Sequence, residues 1–265
     1  MPFTLSHPAA VIPLHKLLGR RVSISAMIIG SMAPDFAYFL PGIHGLMTHS
    51  LNGILIFCLP AGLLTYFIFH LLIKRPASLL LPKPMLSRLH HRVFEASALP
   101  PTSIWVLAWS VMLGAATHIA WDALTHRNSA VVNHFELLRT LIYSTDGYKL
   151  YVYKLLQHLS TAFGLLVLAW WIKAWLNTTS AQSEGCGSED AGDVELAPKV
   201  KLSIAGGIIA VSAFCGAAAG FMQFGVSLER WLFHVVVAGL SGFVLASLLY
   251  CLAWWALAGR RQRNA

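Results

Sequence analysis

Several stretches of this sequence are apolar runs of about 20 residues, the length that crosses the hydrocarbon core of a bilayer. In lipid such runs fold as α-helices, because a helix pairs its backbone N–H and C=O groups within the segment. Of the 265 residues, 57% are hydrophobic and 11% are charged, whereas soluble domains carry about 25% charged residues. The sequence therefore predicts an all-α fold, that of a polytopic helical membrane protein.

We expect about five full spans, preceded by a pair of short helices that form an N-terminal hairpin. The first short helix should begin with Ser6 as its N-cap and Pro8 in its first turn. A basic turn at Arg20 and Arg21 separates it from the second, which Pro34 interrupts because proline disfavours helix at the preceding residue. The full spans are expected in five apolar runs: 51–73, 104–125, 155–176, 202–224 and 231–257.

Composition divides the chain into three parts. Residues 1–176 are predicted to form a membrane-embedded domain that contains the candidate metal site. Residues 177–201 are acidic and rich in small side chains, which is typical of a disordered linker. Residues 202–265 should form a C-terminal two-helix membrane segment. The polar and aromatic segment 127–153 is expected to fold over the membrane surface, with a short amphipathic helix.

The basic residues predict the orientation in the membrane. Most of the 19 lysines and arginines fall on one side of this topology, which the positive-inside rule makes cytoplasmic. We therefore expect a multi-pass protein of the cytoplasmic (inner) membrane with a cytoplasmic C-terminus. Topology and anionic lipid then explain the net charge of +8. Membrane lipid is the expected partner, and nucleic acid is not.

One predicted span carries a stripe of ionisable side chains. His118, Asp122 and His126 follow at four-residue intervals, so they lie along one helix face. Ionisable groups at membrane depth are costly and indicate function. The alternative interpretation is a polar helix end that faces water just outside the bilayer.

The same topology places His7, Asp35 and His49 near the extracytoplasmic ends of their segments, close to the stripe. An isolated carboxylate in apolar surroundings loses its charge unless a cation or a strong donor holds it. Imidazoles and carboxylates suit zinc, with manganese or iron as alternatives. Taken singly, His7 is also typical of a helix start and His49 of a turn. We predict a divalent metal ion bound by five residues: His7, Asp35, His49, His118 and Asp122.

The predicted activity is that of a metal-dependent hydrolase at the extracytoplasmic face. A metal-bound water would attack an ester or phosphoester of a lipid or of an envelope-linked small molecule. Asp122 and His126 are the candidate catalytic residues, as general base or as groups that orient the ligands. Two other hypotheses stay open: a transport protein or channel for protons or metal ions, and a non-catalytic membrane assembly factor.

Four motifs carry a resemblance to a known family. The opening MPFTLSHPA, GSMAPDF at 30–36, THS at 48–50 and THIAWDALTH at 117–126 resemble the bacterial integral-membrane family of domain-of-unknown-function 4184. A more distant likeness is to inner-membrane-associated metal-dependent hydrolases, whose pattern is an N-terminal His, Pro-Asp-x-Asp, Thr-His-Ser and His-x-x-x-Asp. This likeness implies the same five ligands, but Ala37 stands where that pattern has its second Asp.

Overall fold

The computed structural model describes residues 4–40, 42–43, 45–90, 93–94, 99, 102–145, 148–180 and 196–264. These residues are almost entirely helical, and their one sheet has two strands. The predicted linker falls largely on residues 181–195, outside the described residues. Five of the described helices are long and apolar enough to cross a membrane: Leu51–Leu79, Ile104–His134, Val152–Thr178, Pro198–Met222 and Arg230–Ala258. The predicted fold class is confirmed.

The chain forms two compact units. The first comprises Met1–Tyr66 and Pro101–Thr178, and the second comprises Phe67–Pro100 and Thr179–Ala265. All the predicted metal and catalytic residues belong to the first unit. The domain limits expected at residues 176 and 202 stay a prediction.

The N-terminal hairpin consists of helix α1 (Pro8–Leu18), a 3₁₀ turn (Gly19–Arg21) and helix α2 (Ile24–Met32). The expected N-cap at Ser6 is wrong, since His7 occupies the cap position of α1. The His7 side chain makes no capping hydrogen bond there. Its Nε2 atom has no hydrogen-bond partner among the described residues and is available for the site described below.

A 3₁₀ segment, Ala33–Phe39, continues directly from α2 and carries Asp35. The short helix α3 (Gly45–Thr48) follows, and the long helix α4 covers Leu51–Leu79. The Ser50 hydroxyl caps α4 by accepting a hydrogen bond from the Gly53 backbone N–H at 3.0 Å.

The remaining elements complete both units. Helix α6 begins after the N-cap Ser103 and ends at Thr125, beyond which His126 has extended backbone angles. The two strands are antiparallel. In chain order these elements are α5 (Lys83–His90), α6 (Ile104–Thr125), α7 (Ala130–His134), β1 (Leu141–Thr145), β2 (Tyr148–Tyr151), α8 (Val152–Thr178), α9 (Pro198–Met222) and α10 (Leu228–Asn264).

Glycine allows α2 and α6 to pack with their backbones in contact. A side chain on Gly30 would overlap the Val111 backbone, and one on Gly114 would overlap Met27 O and Ser31 N. Small residues are the usual means by which membrane helices approach this closely. The contact sets the position of α6 against the end of α2, and therefore the position of His118 and Asp122 against Asp35.

Candidate metal centre

Four separate segments of the first unit bring the five predicted ligands together. His7 precedes α1, Asp35 lies in the 3₁₀ segment, His49 follows α3, and His118 and Asp122 lie one turn apart on α6. Four of the five are buried, whereas the His49 side chain is 18% exposed. The open side of the cluster is therefore at His49.

The cluster is arranged around two imidazole nitrogens and two carboxylate oxygens. His49 Nε2 lies 3.3 Å from Asp35 Oδ1 and 3.5 Å from Asp122 Oδ2. His118 Nε2 lies 3.7 Å and 3.3 Å from the same two oxygens. Each nitrogen thus faces both carboxylates, and each carboxylate faces both imidazoles.

These separations are longer than those of hydrogen bonds, which measure about 2.7–3.2 Å for N–H···O and less between charged groups. Four ligand atoms placed tetrahedrally at about 2.0–2.2 Å from a zinc ion lie about 3.3–3.6 Å apart. The observed distances of 3.3, 3.5, 3.7 and 3.3 Å are close to that edge length. The geometry fits ligands around a cation better than it fits ion pairs between imidazolium and carboxylate.

Unpaired polar atoms also mark the cluster. Among the described residues, four buried site atoms have no hydrogen-bond partner: His7 Nε2, Asp35 Oδ1, His118 Nε2 and Asp122 Oδ1. Buried polar atoms normally have partners, because leaving one unpaired costs about 1–3 kcal/mol. Two overlapping groups, His7–Asp35–His118 and His49–His118–Asp122, have ligand atoms within 4.8 Å of one another. These atoms are therefore placed close enough together to bind one cation.

Backbone carbonyls fix the orientation of two imidazoles. His118 Nδ1 donates to Ser31 O at 2.7 Å, and His49 Nδ1 donates to Gly45 O at 2.9 Å. A carbonyl oxygen only accepts, so both Nδ1 atoms carry hydrogen, and in the neutral imidazole each Nε2 atom then presents a lone pair. Metal-binding histidines usually have such an outer partner, which sets their tautomer.

Hydroxyl groups support the carboxylate side of the cluster. Thr4 Oγ1 donates to Asp35 Oδ2 at 2.6 Å, which leaves Oδ1 directed at the histidines. Thr48 Oγ1 donates to Pro34 O at 2.8 Å and so joins the segment of His49 to that of Asp35. The two threonines therefore hold Asp35 and its backbone in place.

His7 lies against His118 and next to the second oxygen of Asp122. The His7 and His118 rings stack with centroids 3.7 Å apart, and His7 Nε2 lies 3.7 Å from Asp122 Oδ1. Burial lowers the pKa of His7 to about 4, and the neighbouring His118 acts in the same direction. The neutral imidazole is the form that binds metals. The predicted hairpin, which places His7 beside His118, is confirmed.

His126 departs from the predicted stripe. Helix α6 ends one residue earlier, so its ring turns back: Nδ1 lies 3.2 Å from the Asp122 carbonyl and 3.5 Å from Asp122 Oδ1. Its side chain is 32% exposed. His126 therefore contacts Asp122 at the exposed edge of the cluster. It is not one of the residues whose imidazole and carboxylate atoms face one another.

Close packing at glycine holds two further ligand segments. A side chain on Gly164 of α8 would come within 2.8 Å of Ser6 O, next to His7. A side chain on Gly53 of α4 would overlap the backbone of Thr48, next to His49.

Sequence reasoning missed the supporting residues, although the motifs contained some of them. Thr4 lies in MPFTLSHPA, Ser31 in GSMAPDF and Thr48 in THS. Their position within motifs was the available signal. Gly164 and Gly53 stand in no motif, and their contacts depend on the folded chain.

The family model described as Domain of unknown function (DUF4184) matches residues 1–252. No curated protein and no solved structure matches this chain.

Proposed function

We propose that this chain, which belongs to the DUF4184 family, is a metal-dependent hydrolase of the cytoplasmic membrane. The site would face the extracytoplasmic side and act on an ester or phosphoester of a lipid or of an envelope-linked small molecule. The observation that carries the proposal is the convergence of imidazole and carboxylate groups from four segments, with four of their atoms buried and without a hydrogen-bond partner.

Charge balance supports a divalent cation. Asp35 and Asp122 are buried, and ionised carboxylates in an apolar interior need paired positive charge. One divalent ion balances both carboxylates while His49 and His118 stay neutral. Imidazoles with carboxylates favour zinc, and manganese and iron are compatible with the same ligands.

Each residue of the cluster has a role in this proposal. His49, His118, Asp35 and Asp122 form the main ligand set, and His7 adds a nitrogen beside Asp122 Oδ1. A metal ion in such a site lowers the pKa of bound water and polarises a carbonyl or phosphoryl oxygen. Asp122 is the proposed general base, and His126 at the exposed edge would pass its proton to solvent.

Metal analysis tests the first step of this proposal. Protein purified without chelator should contain zinc, manganese or iron, or take it up on addition, whereas His118→Ala should lose it. His158→Ala is the matched control, because His158 is an exposed histidine of the same unit. Wild-type protein that neither contains nor takes up metal would overturn the proposal.

Turnover tests the second step. Metal-loaded protein in lipid nanodiscs should hydrolyse one of a panel of lipid phosphoesters and esters, and Asp122→Asn should abolish that activity. Retained hydrolysis in Asp122→Asn would contradict the assigned site.

One observation favours an assembly factor as the second candidate. Four protein atoms have nitrogen–oxygen separations close to the edge length of a zinc tetrahedron, and four protein ligands are typical of structural zinc sites, whereas catalytic sites keep an open position. Cobalt substitution separates the two. A cobalt absorption spectrum that changes when a phosphonate is added indicates an open position and catalysis, and an unchanged spectrum without turnover indicates an assembly factor.

The transport alternative receives less support. The backbone contact at Gly30 and Gly114 lies between the site and the other end of α6, and it leaves no gap between α2 and α6. Ion flux into proteoliposomes that disappears in Asp122→Asn would favour transport over hydrolysis.

A further inference from the structure

The connection between α6 and α8 contains a β-hairpin, formed by β1 and β2, whose first strand is exposed. All five residues of β1 are exposed, including Tyr143 at 58%. An isolated two-stranded hairpin is marginally stable in water and usually needs another surface to pack on. The described residues therefore leave the side chains of β1 uncovered.

Strand register gives the hairpin two different faces near its tip. Tyr143 pairs with Leu150, and the next pair is Ser144 with Lys149. Successive pairs point to opposite sides of a sheet. One face therefore carries an aromatic and an aliphatic side chain, and the other carries a hydroxyl and an ammonium group.

The base of the hairpin is fixed at the start of a membrane span. Val152 N–H donates to Thr140 O at 3.1 Å, and the ring of Tyr151 stacks on that of Tyr153 with centroids 5.6 Å apart. Tyr153 lies in the first turn of α8, a candidate span. The hairpin is thus joined to the first turn of a candidate membrane span.

The segment before the hairpin also exposes apolar side chains and a basic one. Phe135 is 55% exposed and Leu137 is 72% exposed, and both precede the exposed Arg139. Aromatic side chains are enriched at the membrane–water interface, and cations there contact anionic headgroups. The segment Phe135-Glu136-Leu137-Leu138-Arg139 thus exposes apolar side chains next to one acidic and one basic side chain, a mixture found in surface-bound amphipathic elements.

We propose that the β1–β2 hairpin lies on the bilayer surface. Its Tyr143–Leu150 face is inserted at the level of the headgroups and upper acyl chains, and Lys149 faces the aqueous side with its ammonium group near lipid phosphates. The partner of this surface is the membrane itself. The inference does not depend on hydrolysis or on a bound metal.

Depth measurement by spin labelling tests the proposal on neighbouring residues that point to opposite faces. Nitroxide labels are placed at Tyr143→Cys and, as the matched control, at Ser144→Cys. Cys186 and Cys215 are replaced by serine, while Cys58 and Cys251 stay because they are buried. The protein is reconstituted in nanodiscs of phosphatidylethanolamine and phosphatidylglycerol.

The label at residue 143 should be severalfold more accessible to oxygen, relative to a water-soluble nickel chelate, than the label at residue 144. Equal accessibility to the nickel chelate at both positions would overturn the proposal, since the hairpin would then stand in water. Protection from both reagents, with dipolar broadening between labels at residue 143 of two copies, would also overturn it by making a second copy of the chain the partner. Both positions are on an exposed strand, so neither label should disturb folding, and an unchanged melting temperature verifies this.

Discussion

At the scale of single residues, the orientation of the site depends on side chains that would not touch the ion. Thr4 Oγ1 donates to Asp35 Oδ2 at 2.6 Å, so Thr4→Val should leave Asp35 free to rotate and should weaken metal binding by about 10–100-fold, as loss of outer-shell partners typically does. Competition with a chelator measures this affinity. Thr65→Val is the control, because the Thr65 hydroxyl donates to the Ala61 carbonyl of its own helix at 2.8 Å. Equal affinity in both variants would show that Thr4 does not hold the carboxylate.

The residue scale also shows where sequence reasoning stops. His7, Asp35, His49, His118 and Asp122 could be selected from residue type and topology, because ionisable side chains are rare in apolar runs. The carbonyls of Ser31 and Gly45 that orient two of them could not, since every residue has a carbonyl and only the folded backbone decides which one faces an imidazole.

At the scale of elements, helix positions are set by glycine contacts. In Gly114→Ala the new methyl group would overlap Met27 O and Ser31 N, and Ser31 O holds His118. Such overpacking costs about 1–3 kcal/mol, so we expect a lower melting temperature and loss of bound metal. Gly206→Ala in α9 is the matched control, because no atom lies within 4 Å of the added group. There the substitution should be neutral or stabilising by about 0.5–1 kcal/mol. Equal melting temperatures and metal contents in the two variants would contradict the importance of the α2–α6 contact.

Elements that cross the membrane were predictable from the sequence, and surface elements were less so. Runs such as 104–125 are constrained by bilayer thickness to one structure, and α6 covers that range. The segment 127–153 has no comparable constraint. A short helix was expected there and α7 is present, but the β1–β2 hairpin gave no alternating pattern strong enough to predict it.

At the scale of the whole molecule, the candidate site joins segments that are distant in the chain but belong to one of two compact units. A ligand that binds only the folded state stabilises it, by about 2.7 kcal/mol at one hundred times its dissociation constant. Because every proposed ligand is in the first unit, metal should protect that unit selectively.

Removing the ion with a chelator should speed hydrogen exchange in Ala33–Phe39, in Gly45–Thr48 and at the end of α6, while exchange in α9 should stay unchanged. Mass spectrometry of peptides from protein in nanodiscs measures both regions in one sample, and the His118→Ala variant should resemble the chelated protein before any chelator is added. Equal changes in α9 would mean that the ion stabilises the entire chain, and no change in either region would mean that the four segments hold their positions without it.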